Sequence, residues 1–252
     1  MGIGETILNI KICHLYPDIL NLYGDRGNII SMEKRLIWRG IEAEVSNISI
    51  GESFNYEDYD IFFIGGGQDF EQGVLLKDLQ TGKAEQIKAA IEEEKTFLTI
   101  CGGYQMLGNY YKTWDGQECE YIGALDFYTI GHKERMIGDY AFACDEADGG
   151  MIVVGFENHS GKTYLGQGLR PFGTVLSGNG NNGEDKTEGA RYKNVFASYS
   201  HGALLPKNPR LCDHILKTAL KRKYTDVSLE ALEDTFEEDA NSYMRERLLT
   251  NK

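Results

Sequence analysis

The sequence predicts an α/β fold: a doubly wound, mostly parallel sheet with an antiparallel extension and a C-terminal helix. Three observations predict it. Residues 59–64 (YDIFFI) and 96–100 (TFLTI) are short apolar runs that end at glycine or at a Cys-Gly-Gly corner, the pattern of strands buried on both faces. Helical periodicity separates such runs, so strand and helix alternate over the first 110 residues, as right-handed βαβ crossovers require. After Trp114 the alternation gives way to short β-like pieces joined by glycine-rich turns.

Taken in order, residues 7–16 (ILNIKICHLY) form a first strand, and Pro17-Asp18 is expected to open a helix, proline being tolerated at a helix start. That helix is interrupted at Tyr23-Gly24-Asp25-Arg26-Gly27-Asn28 and resumes through residues 29–39 to a stop at Gly40. Residues 41–48 alternate apolar and polar as a second strand, and 59–64 form a third that ends at Gly65-Gly66-Gly67-Gln68-Asp69. Residues 70–95 carry helical periodicity, including Ile87, Ala90 and Ile91. Later strands are expected at 122–130, 139–144, 151–158 and 174–177, and Asn179-Gly180-Asn181-Asn182-Gly183-Glu184-Asp185 reads as an exposed hairpin tip. Residues 194–200 (NVFASYS) deliver His201-Gly202, and Asn208-Pro209 begins a helix with Leu211, Ile215, Leu216, Ala219 and Leu220 on its apolar positions.

Two units are expected: a domain over 1–224 and an acidic amphipathic helix in 225–252. Ser228 is its expected cap, with Leu229, Leu232, Phe236, Ala240 and Tyr243 on one face. It either packs on its own domain or docks a partner.

The chain of 252 residues has 41% hydrophobic residues, enough for a substantial core. A formal charge of −13 argues against nucleic-acid binding and against adsorption to an anionic membrane. Five cysteines without C-x-x-C spacing indicate neither zinc nor a disulfide framework, and the histidines show no metal-ligand spacing. A cytoplasmic location fits. Met1-Gly2-Ile3-Gly4-Glu5-Thr6 matches a loose myristoylation pattern and is taken as chance.

Chemistry concentrates at three strand ends: the Gly65-Gly66-Gly67 turn, Cys101 and His201. Ligands of doubly wound sheets bind beyond the carboxyl ends of strands, so residues distant in sequence can converge there. Cys101 is either a buried strand-end thiol or a nucleophile on a sharp strand-to-helix turn, and Gly102-Gly103 favour the second. His201 can take and return a proton, and backbone N–H groups of Gly102 and of Gly66 or Gly67 can face an oxyanion. Acyl transfer through a thioester follows. The glycine runs match no P-loop and no well-placed dinucleotide fingerprint.

The stretch Thr99-Ile100-Cys101-Gly102-Gly103-Tyr104-Gln105-Met106-Leu107-Gly108, with Ser200-His201-Gly202 a hundred residues later, resembles class I glutamine amidotransferases of the cobyric acid synthase-like branch. Residues 23–28, 65–69 and Gly155-Phe156-Glu157-Asn158-His159-Ser160-Gly161 narrow the likeness to glutaminase subunits of lipid II isoglutaminyl synthases. The resemblance implies a flavodoxin-like fold and hydrolysis of L-glutamine to glutamate and ammonia. The ammonia would pass to a Mur-ligase-like, ATP-using synthetase in a heterodimer that amidates D-glutamate of lipid II for peptidoglycan. No cofactor or metal is expected on this chain.

By resemblance Cys101 is the nucleophile, His201 the general base, Gln105 a neighbour of bound glutamine, and Arg135 a substrate-binding arginine. A guanidinium fork suits the α-carboxylate of glutamine. Ala203 stands where ordinary class I members carry a glutamate that orients the imidazole. This implies a Cys–His dyad or a carboxylate from elsewhere, the partner being one source, with poor glutaminase activity until the partner binds. Alternatives are an amidotransferase subunit for a corrin precursor, a non-catalytic interaction module, and a cysteine hydrolase acting on other substrates.

Overall fold

A computed structural model describes residues 7–67, 69–145 and 149–250. The Met1–Thr6 pattern and Gln68 lie outside the described residues. The first sheet contains β1 (Asn9–Leu15), β2 (Glu42–Ile48), β3 (Ile61–Ile64) and β4 (Thr96–Ile100). The second begins with β5 (Tyr110–Lys112), β6 (Glu118–Glu120), β7 (Phe127–Cys144), β8 (Met151–Leu165), β9 (Gly173–Ser177) and β10 (Thr187–Glu188). The chain then returns to the first sheet with β11 (Ala190–Tyr192) and β12 (Val195–Ser198). Strand order in the first sheet is β11-β12-β4-β3-β1-β2, parallel throughout except for β11 at the edge. The parallel core is as predicted. Every residue of β3 and β4 is buried, which is why both read as unbroken apolar runs.

The helices are α1 (Arg26–Ile37), α2 (Asp69–Asp78), α3 (Ala84–Glu92), α4 (Gly102–Gln105), α5 (Pro209–Lys223) and α6 (Thr235–Thr250). α5 starts at the expected proline and buries Leu211, Ile215, Leu216, Ala219 and Leu220, as its periodicity predicts. Residues 17–20 are only a turn, not the expected helix. Ile19 and Leu20 both donate to the Tyr16 carbonyl, and Leu20 is driven into the core instead of continuing outward.

The second sheet departs from expectation more. Its order is β10-β9-β7-β5-β6, with β8 paired antiparallel to β7. The separate pieces expected at 122–130 and 139–144 are the two ends of β7, an 18-residue strand with a register shift between Gly131 and Met136. Likewise 151–158 is only the first half of β8. Glycines inside these strands mark close approaches, not turns: a Cβ on Gly155 would meet Ser200 Oγ at 1.7 Å, and one on Gly161 would meet Gln105 Nε2 at 2.6 Å.

The 179–185 segment does connect β9 to β10, and Gly183, Glu184 and Asp185 are exposed as expected, but its first half is not. Asn181 and Asn182 are fully buried. The Glu157 carboxylate accepts hydrogen bonds from the Asn179 and Gly180 amides, and Asn182 Nδ2 donates to the Thr163 carbonyl. Asparagine suits an exposed turn and a buried, fully bonded one equally well.

The tail differs too. Ser228 caps no helix, because the chain stays irregular up to Thr235. Arg35 on α1, nearly buried, grips Asp213 (2.7 Å) and Asp234 (2.6 Å), and Arg39 donates to the Glu230 carbonyl at 2.6 Å. These bonds hold 230–234 against the domain. Of the expected apolar face, Leu229 packs against the core and Leu232 is half-buried, but the helical part is not buried. Phe236 is 88% exposed and Tyr243 66%, while Asn241 is buried and donates to the Lys207 carbonyl and to Asn208 Oδ1.

Candidate active site

The buried strand β4 leads into Cys101, whose φ of 48° and ψ of −106° are a conformation that favours glycine. Such a residue costs on the order of 1–3 kcal/mol and persists where surrounding structure fixes it. Here the Cys101 amide donates to the Ser198 carbonyl at 2.8 Å, and the Gln105 amide donates to the Cys101 carbonyl at 2.8 Å. The side chain therefore projects from a tight corner at the carboxyl end of the sheet, 6% exposed. α4 can begin at once because Gly103 has no side chain. A Cβ there would lie 2.6 Å from the carbonyls of Ile64 and Gly65.

His201 follows β12 and forms an isolated antiparallel bridge with Phe156, its amide donating to the Phe156 carbonyl at 2.7 Å. The imidazole is fully buried. Its Nδ1 lies 3.2 and 3.4 Å from the two carboxylate oxygens of Asp25, which is also fully buried. Asp25 Oδ2 accepts a further hydrogen bond from the Gly66 amide at 2.8 Å. A carboxylate at Nδ1 leaves Nε2 as the nitrogen for proton exchange, and Nε2 is buried without a formed hydrogen bond. Burial disfavours the imidazolium, but charge on the Cys101 sulfur and the Asp25 carboxylate outweigh it, raising the ring from 6.5 to about 10.

Asp25, at the start of α1 within the Tyr23–Asn28 motif, brings a carboxylate to the imidazole from within this chain, where Ala203 carries none. The sequence reading missed it by treating that motif as a helix interruption. Its available signal was an acidic residue between two glycines just beyond the carboxyl end of the first strand.

Gly66 also takes a different role from the one expected. Its N–H serves Asp25 and is not available to an oxyanion, which leaves Gly67 and Gly102 as the backbone candidates. Its missing side chain is what seats the histidine, since a Cβ there would lie 2.3 Å from His201 Cε1.

Arg135 sits in the irregular part of β7, exposed, with Nε donating to Asn158 Oδ1 at 2.9 Å and a terminal nitrogen donating to the Asn158 carbonyl at 3.1 Å. Asn158 Nδ2 donates in turn to the Tyr23 hydroxyl. The Tyr23 ring meets His201 edge-on at 5.0 Å and Phe156 at 5.8 Å. Arg135 therefore connects to the His201 imidazole through two side chains, Asn158 and Tyr23. Gln105 lies under the cysteine corner, buried, its carboxamide donating to the Tyr199 hydroxyl at 3.0 Å. Tyr199 is bonded to Thr163 at 2.7 Å and stacks on His159 at 3.6 Å. Gln105 is thereby part of the packed polar floor beneath Cys101.

A sulfur, an imidazole and a carboxylate at one end of the sheet are the groups that acyl transfer uses as nucleophile, base and orienting acid. The CobB/CobQ-like glutamine amidotransferase domain matches residues 11–209, a span that takes in Asp25, Cys101 and His201. The chain belongs to that family. It is 41% identical over 238 residues to the lipid II isoglutaminyl synthase (glutamine-hydrolyzing) subunit GatD of Streptococcus pneumoniae, covering 94% of this chain and 90% of that protein. It is 43% identical to the subunit of the same name from Staphylococcus aureus, covering 94% and 96%. A cobyric acid synthase of Pelotomaculum thermopropionicum is 30% identical, over 65% of this chain and 33% of that protein. Among solved structures, PurLQS from Thermotoga maritima superposes with a TM-score of 0.55 at 15% identity, covering 85% of this chain and 99% of that one, a likeness of fold. The family makes the chain a glutamine amidotransferase, so the readings as a non-catalytic module and as an unrelated cysteine hydrolase fall away. No helix among the described residues is long and apolar enough to cross a membrane.

Proposed function

We propose that this chain is the glutaminase subunit of a lipid II-amidating synthetase. The observation that carries the reading is end-to-end similarity above 40% to two subunits of that name, whereas the cobyric acid synthase relative is matched over only a third of its length.

In this reading the Cys101 thiolate attacks the γ-carboxamide carbon of L-glutamine, forming a C–S bond and pushing the carbonyl electron pair onto oxygen. The Gly67 or Gly102 amides face that oxyanion. His201, held protonated by Asp25 and the sulfur, gives its Nε2 proton to the departing nitrogen, and the C–N bond breaks to release ammonia and leave a thioester. Water then adds to the thioester as His201 accepts its proton, and glutamate leaves as the thiolate returns. Arg135 turns its guanidinium from Asn158 to the α-carboxylate of glutamine. ATP is used on a Mur-ligase-like synthetase subunit, which takes the ammonia and amidates D-glutamate of lipid II, and the two subunits form a heterodimer in the cytoplasm.

The experiment is glutamine-dependent amidation of lipid II by the purified chain together with that synthetase and ATP, followed by mass spectrometry of the lipid product. Amidated lipid II that disappears with Cys101→Ala and returns with added ammonium is the expected result. Ammonia release without lipid amidation would overturn the assignment of acceptor and leave the glutaminase.

A further inference from the structure

The irregular stretch of β7 opens, with β8 and the turn between β5 and β6, onto a cleft of about 920 Å³. Neither Cys101 nor His201 lines it. Lys112, Lys133, Arg135 and Lys162 do, against a single lining carboxylate, Glu134. Four cations around one trough are out of keeping with a chain of formal charge −13. Lys162 is committed to Glu184 at 2.6 Å and Arg135 to Asn158. Among the described residues, Lys112 and Lys133 reach no carboxylate. The Lys133 ammonium instead sits 4.4 Å from the centre of the Trp114 ring, and that tryptophan is 61% exposed. Ile137 on the same rim is 55% exposed. An exposed tryptophan and isoleucine set among unpaired cations have the composition of a protein interface core with a basic rim.

We propose that this cleft docks an acidic segment of the synthetase subunit, one bearing an apolar side chain that covers Trp114 and Ile137. The inference rests on the partnership proposed above and names the surface that serves it. Charge selects the occupant: the chain's net acidity repels an acidic surface, and the lysines and arginine of this trough attract one. The form of the cleft favours a protein over a small anion. Its cations are spread along an open trough in contact with water, where a lone ion keeps its hydration and gains little. A folded surface also removes the tryptophan and isoleucine from water. The position bears on catalysis, because Arg135 belongs both to the cleft and to the Asn158–Tyr23 connection that ends on His201. A docked segment thus reaches the imidazole through two hydrogen bonds and one ring contact.

The test measures affinity between the purified chain and the synthetase by calorimetry, for wild type, Lys112→Glu/Lys133→Glu, Trp114→Ala, and a control, Lys34→Glu/Lys221→Glu, with the same change in charge elsewhere. At least about ten-fold weaker binding is expected for the cleft double variant and for Trp114→Ala, with unchanged binding by the control and unchanged glutaminase activity of the free chains. Binding by the cleft variants equal to wild type would overturn the docking site while leaving the partnership intact. No binding by wild type would remove the partnership itself, and the docking site with it. Should the charge reversal also disturb the free enzyme, Trp114→Ala decides, because it leaves the charge of the chain unchanged. Affinity must fall steeply between about 50 and about 500 mM salt, and a flat salt dependence would overturn the proposal.

Discussion

Cys101 and His201 reach the same site by opposite routes. The cysteine is placed by a handful of consecutive residues: a buried strand, a left-handed corner and two glycines. The histidine is placed by the rest of the molecule, through a backbone bridge to Phe156, a ring contact with Tyr23, a bare α-carbon at Gly66 and a carboxylate 176 positions away in Asp25. A locally built group tolerates distant change and is lost only by replacing it. A group assembled from afar can be disabled from many positions, each with its own size of effect.

Replacing the local group has the largest effect. Cys101→Ala is expected to lower glutamine hydrolysis by at least about 10⁴-fold with the thermal transition no lower than wild type, since the nucleophile takes the rest of the machinery with it. Next is Asp25→Asn, which keeps shape but removes the charge that fixes the imidazole. A loss of about 10²–10⁴ in kcat is expected, with KM nearly unchanged. The same variant carries a signature in pH. Because the folded ring titrates at about 10 against an ordinary 6.5, its contribution to stability is full below 6.5 and is lost as pH rises toward 10. Without the carboxylate, that alkaline loss in a denaturation series should begin and end at lower pH. Wild-type and Asp25→Asn curves of the same shape would show that the carboxylate is not what holds the ring.

Gly66→Ala comes third. Its methyl would overlap the imidazole, and because packed interiors do not yield freely, about 1–3 kcal/mol of stability is expected to go. A displacement of that order would cost about 10²-fold in turnover, read against urea unfolding of the same sample. The smallest effect belongs to Tyr23→Phe, which keeps the ring on His201 and removes only the hydroxyl bonded to Asn158. A loss of about five-fold in kcat/KM is expected, the scale of one hydrogen bond. Tyr23→Ala should cost more, and equal losses would show that the ring itself does nothing.

The contrast between local and distant also separates what could be read in the sequence from what could not. β1, β3, β4, α5 and the two strand-end residues Cys101 and His201 each announce themselves within about ten residues. β7 and β8 do not, because glycine is ambiguous until its neighbours are known: Gly155 and Gly161 look like turns and are points where another chain segment presses in. The same holds for Asn181 and Asn182, turn-forming residues whose amides are spent on buried carbonyls. In the tail, Asp234 and the Glu230 carbonyl anchor the chain through Arg35 and Arg39 while Phe236 and Tyr243 face water, so amphipathic spacing pointed to the wrong side of the helix. Asp25 was hidden for the most basic reason. A carboxylate that orients a histidine is defined by a distance in space, and Ala203 drew attention to the place where it is not.

The backbone at Cys101 has a consequence for evolution as well as for catalysis. A left-handed corner is comfortable for an amino acid without a side chain and uncomfortable for every other. Cys101→Gly is therefore expected to melt higher than the active enzyme while hydrolysing nothing. Selection for robustness alone would erase this thiol, and its persistence in any descendant lineage would be a sign that the chemistry is still in use.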